Sequence, residues 1–140
     1  MFRSLLSLTA MFSQDTMPTG QATVTNCAPQ SRFKINSISL DPPIALPGQV
    51  IALHLDYTVP ESTYIYDGIS TFTFSLNGLP FTPTMEPLCG QVPCPLMPGN
   101  YVNTTWSTWP QDITGKLVST VSWYDVNQTE LLCFQITGKL

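Results

Sequence analysis

A chain of 140 residues is long enough to bury a substantial core as one domain. Only 10% of its residues are charged, against roughly 25% in an ordinary soluble domain, and the nine acidic residues that bring the net charge to -4 stand singly. That distribution excludes the basic patch of a nucleic-acid-binding surface, and no apolar run approaches the roughly 20 residues of a membrane-spanning helix.

The chain opens with Met1-Phe2-Arg3, then Leu5, Leu6, Leu8, Ala10 and Met11, the single basic residue and short apolar stretch of a signal peptide. Residues 1–26 are therefore expected to be a leader and an extended lead-in, with the domain proper running from Cys27 to the end. Polar residues 14–30, with Pro18, Gly20 and Pro29 among them, are expected to be poorly ordered or dependent on a partner.

From residue 33 onward, short β-favouring runs alternate with Pro, Gly and Asn. No stretch has a 3.6-residue apolar repeat, so the fold class is expected to be all-β. Residues 33–40 form the first clear strand, ended by Asp41-Pro42-Pro43. In residues 49–59, Ile51, Leu53, Leu55 and Tyr57 share one face and Ala52, His54 and Asp56 the other, which describes a half-buried strand with His54 outward. Residues 63–76 read as one long strand bent at Gly68, with Phe72, Phe74 and Leu76 opposed to Thr71, Thr73 and Ser75. Asn77-Gly78 follows as a hairpin turn, since both residues tolerate positive φ.

Residues 79–109 are rich in proline and hold two of the four cysteines and two of the three tryptophans, a mix that suits neither a helix nor a central strand. They read as a stapled crossover. Its parts are an extended edge over residues 80–87, a loop closed by Cys89 and Cys94, and a strand over residues 100–108 that puts Val102, Thr104 and Trp106 on one side. Strands over residues 116–126 and 129–137 complete the chain, joined by a turn at Asn127-Gln128. Leu117, Val121 and Trp123 share a face in the first, and Leu132, Phe134 and Ile136 in the second. About seven strands of this kind predict a two-sheet antiparallel sandwich of immunoglobulin-like architecture.

Four cysteines allow three pairings. Cys89 and Cys94 bracket a Gly-Pro loop and can close locally, which leaves Cys27 with Cys133. Sequons at Asn103-Thr104-Thr105 and Asn127-Gln128-Thr129 add to an expectation of an extracytoplasmic, secreted or lumenal glycoprotein with Asn103 and Asn127 as acceptors. No metal site is expected, because the only histidine is His54. Nor is a cofactor or an enzyme: no glycine-rich phosphate loop, paired carboxylates or nucleophile beside a base can be found, and Asp56 and Asp125 read as solvated strand residues.

An ordered set of motifs covers residues 26 to 140: Cys27 before the first strand; Ile38-Ser39-Leu40-Asp41-Pro42 leading to a Pro-Gly loop; Leu79-Pro80-Phe81-Thr82-Pro83, then Glu86-Pro87 and a cysteine; Cys94-Pro95-Leu96; and Trp123-Tyr124-Asp125 before Leu132-Cys133-Phe134-Gln135-Ile136. In this order and spacing the chain resembles the ML lipid-recognition domain family, which includes lysosomal cholesterol carriers and phospholipid-transfer proteins. It departs from the family in the loop over residues 41–47, where members commonly have a second short disulfide and this chain has proline and aliphatic residues.

The resemblance implies splayed sheets with an apolar cavity between them, a sterol or phospholipid ligand, non-catalytic lipid binding and transfer, and transient contact with a membrane or a membrane protein. By the family pattern Phe81 matches a pocket-lining phenylalanine, and Tyr101, Val102, Trp106 and Trp109 fall in the stretch that forms the other lip. Ile69, Phe72, Phe74, Val121 and Trp123 are inner-face candidates by alternation alone, and for Phe72, Phe74 and Trp123 a filled core is the favoured reading. The alternative is a structural or adaptor subunit of a larger assembly, docking through the sandwich and the amino-terminal segment.

Overall fold

The computed structural model describes residues 19–140; most of the expected leader lies outside them. Strands β1 (Ala22–Asn26), β2 (Lys34–Asp41), β3 (Val50–Val59) and β4 (Gly68–Leu76) lead to two short pieces, β5 (Leu79–Pro80) and β6 (Thr84–Pro87). A 3-10 turn at Leu88–Gly90 precedes β7 (Gly99–Thr108), β8 (Lys116–Asp125) and β9 (Glu130–Lys139). The first sheet has the order β1-β9-β8-β4, with β5 and β6 both along the free side of β4. The second has the order β2-β3-β7. Every pairing is antiparallel, and the two sheets face each other as the all-β sandwich expected from the alternation.

Two boundaries differ from the sequence reading. The first strand is Ala22–Asn26 and not residues 33–40, because residues 22–26 leave the expected lead-in to pair with residues 134–138 of β9. The long strand over residues 63–76 is two things. Only Gly68–Leu76 is strand, and residues 63–67 form a loop pinned by the bridge between Ile65 and Leu96.

The turns follow from the residues that occupy them. Asn77 and Gly78 take φ of 53° and 81°, as a type I′ hairpin demands. At the β8–β9 turn Gln128 takes φ of 64°. There Asp125, expected to be solvated, is buried, and its carboxylate accepts hydrogen bonds from the backbone N–H groups of Asn127 and Thr129, both at 2.9 Å, with Arg32 at 3.5 Å. Its charge is thus matched by three donors, the condition under which a carboxylate tolerates burial.

The core falls into two clusters. The larger centres on Tyr57, whose ring stacks on Phe33 and Tyr101 at 5.8 and 5.5 Å and meets Trp123 edge-on at 5.3 Å. Burial, then the neighbouring Tyr101, push the Tyr57 phenol well above its ordinary value. The native state therefore holds the Tyr57 proton over a range in which the unfolded chain releases it, so the stabilisation is complete below about pH 10 and declines above it. Urea midpoints are expected to fall as pH rises above about 10, and less steeply in Tyr57→Phe.

The smaller cluster gathers Ala45, Ile51, Trp109, Leu117 and Leu140. Trp109 lies over Gly138, where a Cβ would come within 2.6 Å of Trp109 Cη2. Trp109 was expected at the lip; it is only 3% exposed and belongs to this cluster. Its backbone is held between Gly48 and Gln49 by hydrogen bonds of 2.9 and 2.7 Å, which turns the ring into the sandwich as the strand ends.

Candidate functional site

The sheets approach each other at the edge where β1 meets β2, while among the described residues β7 makes no comparable approach to the first sheet. Between them lies a cavity of about 540 Å³. Its second-sheet wall is Leu40, Ile51, Leu53 and Leu55, and its first-sheet wall is Phe72, Val121, Trp123, Phe134 and Ile136. Residues 103–107 of edge strand β7 border it, together with Gln91 from the loop closed by Cys89 and Cys94. Every described residue that lines the cavity is uncharged. Such a space holds an apolar body of moderate size with few polar contacts, the ordinary make-up of a small-molecule pocket.

Of the expected site residues, Phe72, Val121 and Trp123 line this cavity, and so does Trp106. The register pairs Trp106 with Ala52, whose outward face it shares. Its indole is 70% exposed, so Trp106 stands at the rim. Val102 pairs with Asp56 on that same outer face, 75% exposed, and does not reach the interior. Ile69 is one residue out of step with Phe72 and lies on the outer face of the first sheet, opposite Tyr124. Phe74 points inward but packs against the smaller core cluster. Phe81 stacks on it at 4.9 Å, 53% exposed at the β4–β5 edge, outside the lining. Tyr101 is spent on the Tyr57 stack and on hydrogen bonds between its hydroxyl and the backbone of Met97.

The ML domain family model matches residues 21–140. The chain belongs to the ML domain family. No curated protein matches its sequence significantly. Among solved structures, a Niemann-Pick type C2 protein from the Japanese carpenter ant is similar with a TM-score of 0.62 at 12% identity, over 84% of this chain and 98% of the other. Chicken MD-1, in a structure of its complex with lipid IVa, is similar with a TM-score of 0.59 at 16% identity, over 84% of this chain and 88% of the other. At such identities these likenesses speak to the sandwich itself.

This ML domain carries both expected disulfides, Cys27–Cys133 and Cys89–Cys94. The long one fastens the end of β1 to β9, and the short one shapes the loop that brings Gln91 to the cavity. Sequence reasoning missed most of the wall. Leu53 and Leu55, and likewise Phe134 and Ile136, were legible as one-faced rows, but nothing in a row says whether it meets a facing row or a void. The polar part of the lining went unread as well. Asn103, Thr105 and Ser107 sit opposite Leu55, Leu53 and Ile51, and so face inward. Of the two sequon asparagines, Asn103 thus borders the cavity, whereas Asn127 lies in the exposed β8–β9 turn. His54 lies on the outer face, part-buried, with Nδ1 3.1 Å from Thr104 Oγ1. Among the described residues no group of three or more His, Cys, Asp or Glu is placed to hold a metal.

Proposed function

We propose that this ML domain binds one lipid between its sheets, without catalysing a reaction on it, and carries it through water to a membrane or a membrane protein. The observation that carries this reading is the uncharged cavity of about 540 Å³ in a chain of this family. The driving force is burial: several hundred Å² of hydrocarbon, at on the order of 25 cal/mol per Å², is worth several kcal/mol. The two disulfides support an extracytoplasmic setting, in which Asn127 is the accessible acceptor for a glycan. Trp106, exposed at the rim, has the amphipathic ring that settles at a membrane interface.

The test is transfer of a fluorescent sterol or phospholipid from donor to acceptor vesicles. The chain is expected to accelerate it at catalytic protein-to-lipid ratios, and Trp106→Ala to slow it about fivefold to tenfold. No acceleration with any lipid tried would sink the carrier reading.

A further inference from the structure

On the outer face of the second sheet the polar side chains satisfy one another. Asn36 donates to Asp56 at 3.0 Å and to Thr58 at 2.8 Å, Thr58 donates to Asn100 at 2.6 Å, and Thr104 meets His54 at 3.1 Å. The inner face of β7 is different. Asn103, Thr105 and Ser107 point at the cavity from alternate positions, and Ser119 borders it from the central strand β8 of the first sheet. Among the described residues none of these four side chains takes part in a hydrogen bond. The apolar row of Ile51, Leu53 and Leu55 therefore gives way, at the open edge, to a row of neutral donors and acceptors, half-buried at Asn103 and exposed at Thr105 and Ser107.

Resting on the lipid-carrier reading above, we infer that this row selects the cargo: the cavity takes an uncharged lipid with a hydroxyl or carbonyl, its polar group held against β7 by the amide of Asn103, and discriminates against the same hydrocarbon carrying an anionic headgroup. The Asn103 amide offers two donors and a carbonyl acceptor, and each hydroxyl one donor and one acceptor, so the row suits a neutral partner of either polarity. It has nothing to balance an anion. Lys116 and Lys139 face each other across β8 and β9, Arg32 is engaged with Asp125, and Lys34 opens β2; none borders the cavity. An anionic headgroup drawn inside would lose hydration without a counter-charge. Left outside, it would forgo the hydrogen bond to Asn103 and meet a chain of net charge -4.

Two matched pairs test this, each sharing its hydrocarbon: cholesterol with cholesteryl sulfate, and dioleoylglycerol with dioleoylphosphatidic acid. Each is titrated into the full chain, produced without glycans so that changes at the sequon are silent, and adducts are counted by native mass spectrometry. The uncharged member is expected to bind at least about tenfold more tightly in whichever pair binds, and the pair that binds tells a sterol site from an acyl-chain site. Asn103→Leu is expected to weaken the uncharged member about fivefold, one neutral hydrogen bond's worth, and to leave cholestane, which has no hydroxyl, unchanged. The comparison of pairs on the unaltered chain stands even if that variant fails to fold. Equal or tighter binding of an anionic member overturns the selectivity and leaves the carrier standing. Binding by no member of either pair overturns both.

Discussion

Replacing Cys27 and Cys133 together by alanine is expected to lower the unfolding free energy by about 4 to 5 kcal/mol, a loss comparable with much of the 5–15 kcal/mol that holds a typical domain together. The bridge spans 106 residues, so cutting it frees nearly the whole described chain in the unfolded state. Its absence also unpins β1, a five-residue strand whose only ladder partner among the described residues is β9. Cys89→Ala with Cys94→Ala opens a loop with a separation of only 5, and is expected to cost about 2 kcal/mol. Urea titrations of the two double variants check this: the long-bridge variant should have much the lower midpoint, and the reverse order would refute the account of how the sheets are tied. The short-bridge variant is expected to lose lipid affinity beyond its loss of stability, because its loop brings Gln91 to the cavity.

Val121→Trp is expected to reduce lipid affinity at least about a hundredfold while costing only about 1–3 kcal/mol of stability. Val121 lies at the centre of β8, between Phe72 on β4 and Phe134 on β9, and all three line the cavity. An indole at this position projects into space that is already open, so it fills the site without the strain of forcing a ring into a packed core. Displacement of a bound fluorescent lipid gives the affinity, and a thermal melt the stability. Binding undiminished in a folded variant would mean that lipid binds elsewhere on the molecule.

What could be read in the residues was the local geometry. The alternation of Ile51, Leu53, Leu55 and Tyr57, the Asn77-Gly78 turn and the two cysteine pairs all reflect forces that act within a few residues or follow from counting partners. Face assignment failed where the usual rule reverses. In β7, Val102 and Trp106 lie outside and Asn103, Thr105 and Ser107 inside, because the strand borders an opening and its inner side is not packed against a facing sheet. In β4 the inward row begins with Gly68 and Ser70, and the Ser70 hydroxyl is buried without a partner among the described residues; a small polar residue in that place hides the parity, and Ile69 was taken for the inward member. Strand β1 was overlooked because Thr23 and Thr25 make a solvated edge look like a polar lead-in. The void itself depends on how far apart the two sheets stand, a property of many contacts that no single side chain encodes.

Native mass spectrometry of the chain re-isolated from vesicles of phosphatidylcholine and cholesterol shows whether a lipid sits between the sheets. One lipid per chain is expected, retained through isolation and absent from Val121→Trp. Bare protein under every loading condition, or an adduct equally abundant in Val121→Trp, would contradict it.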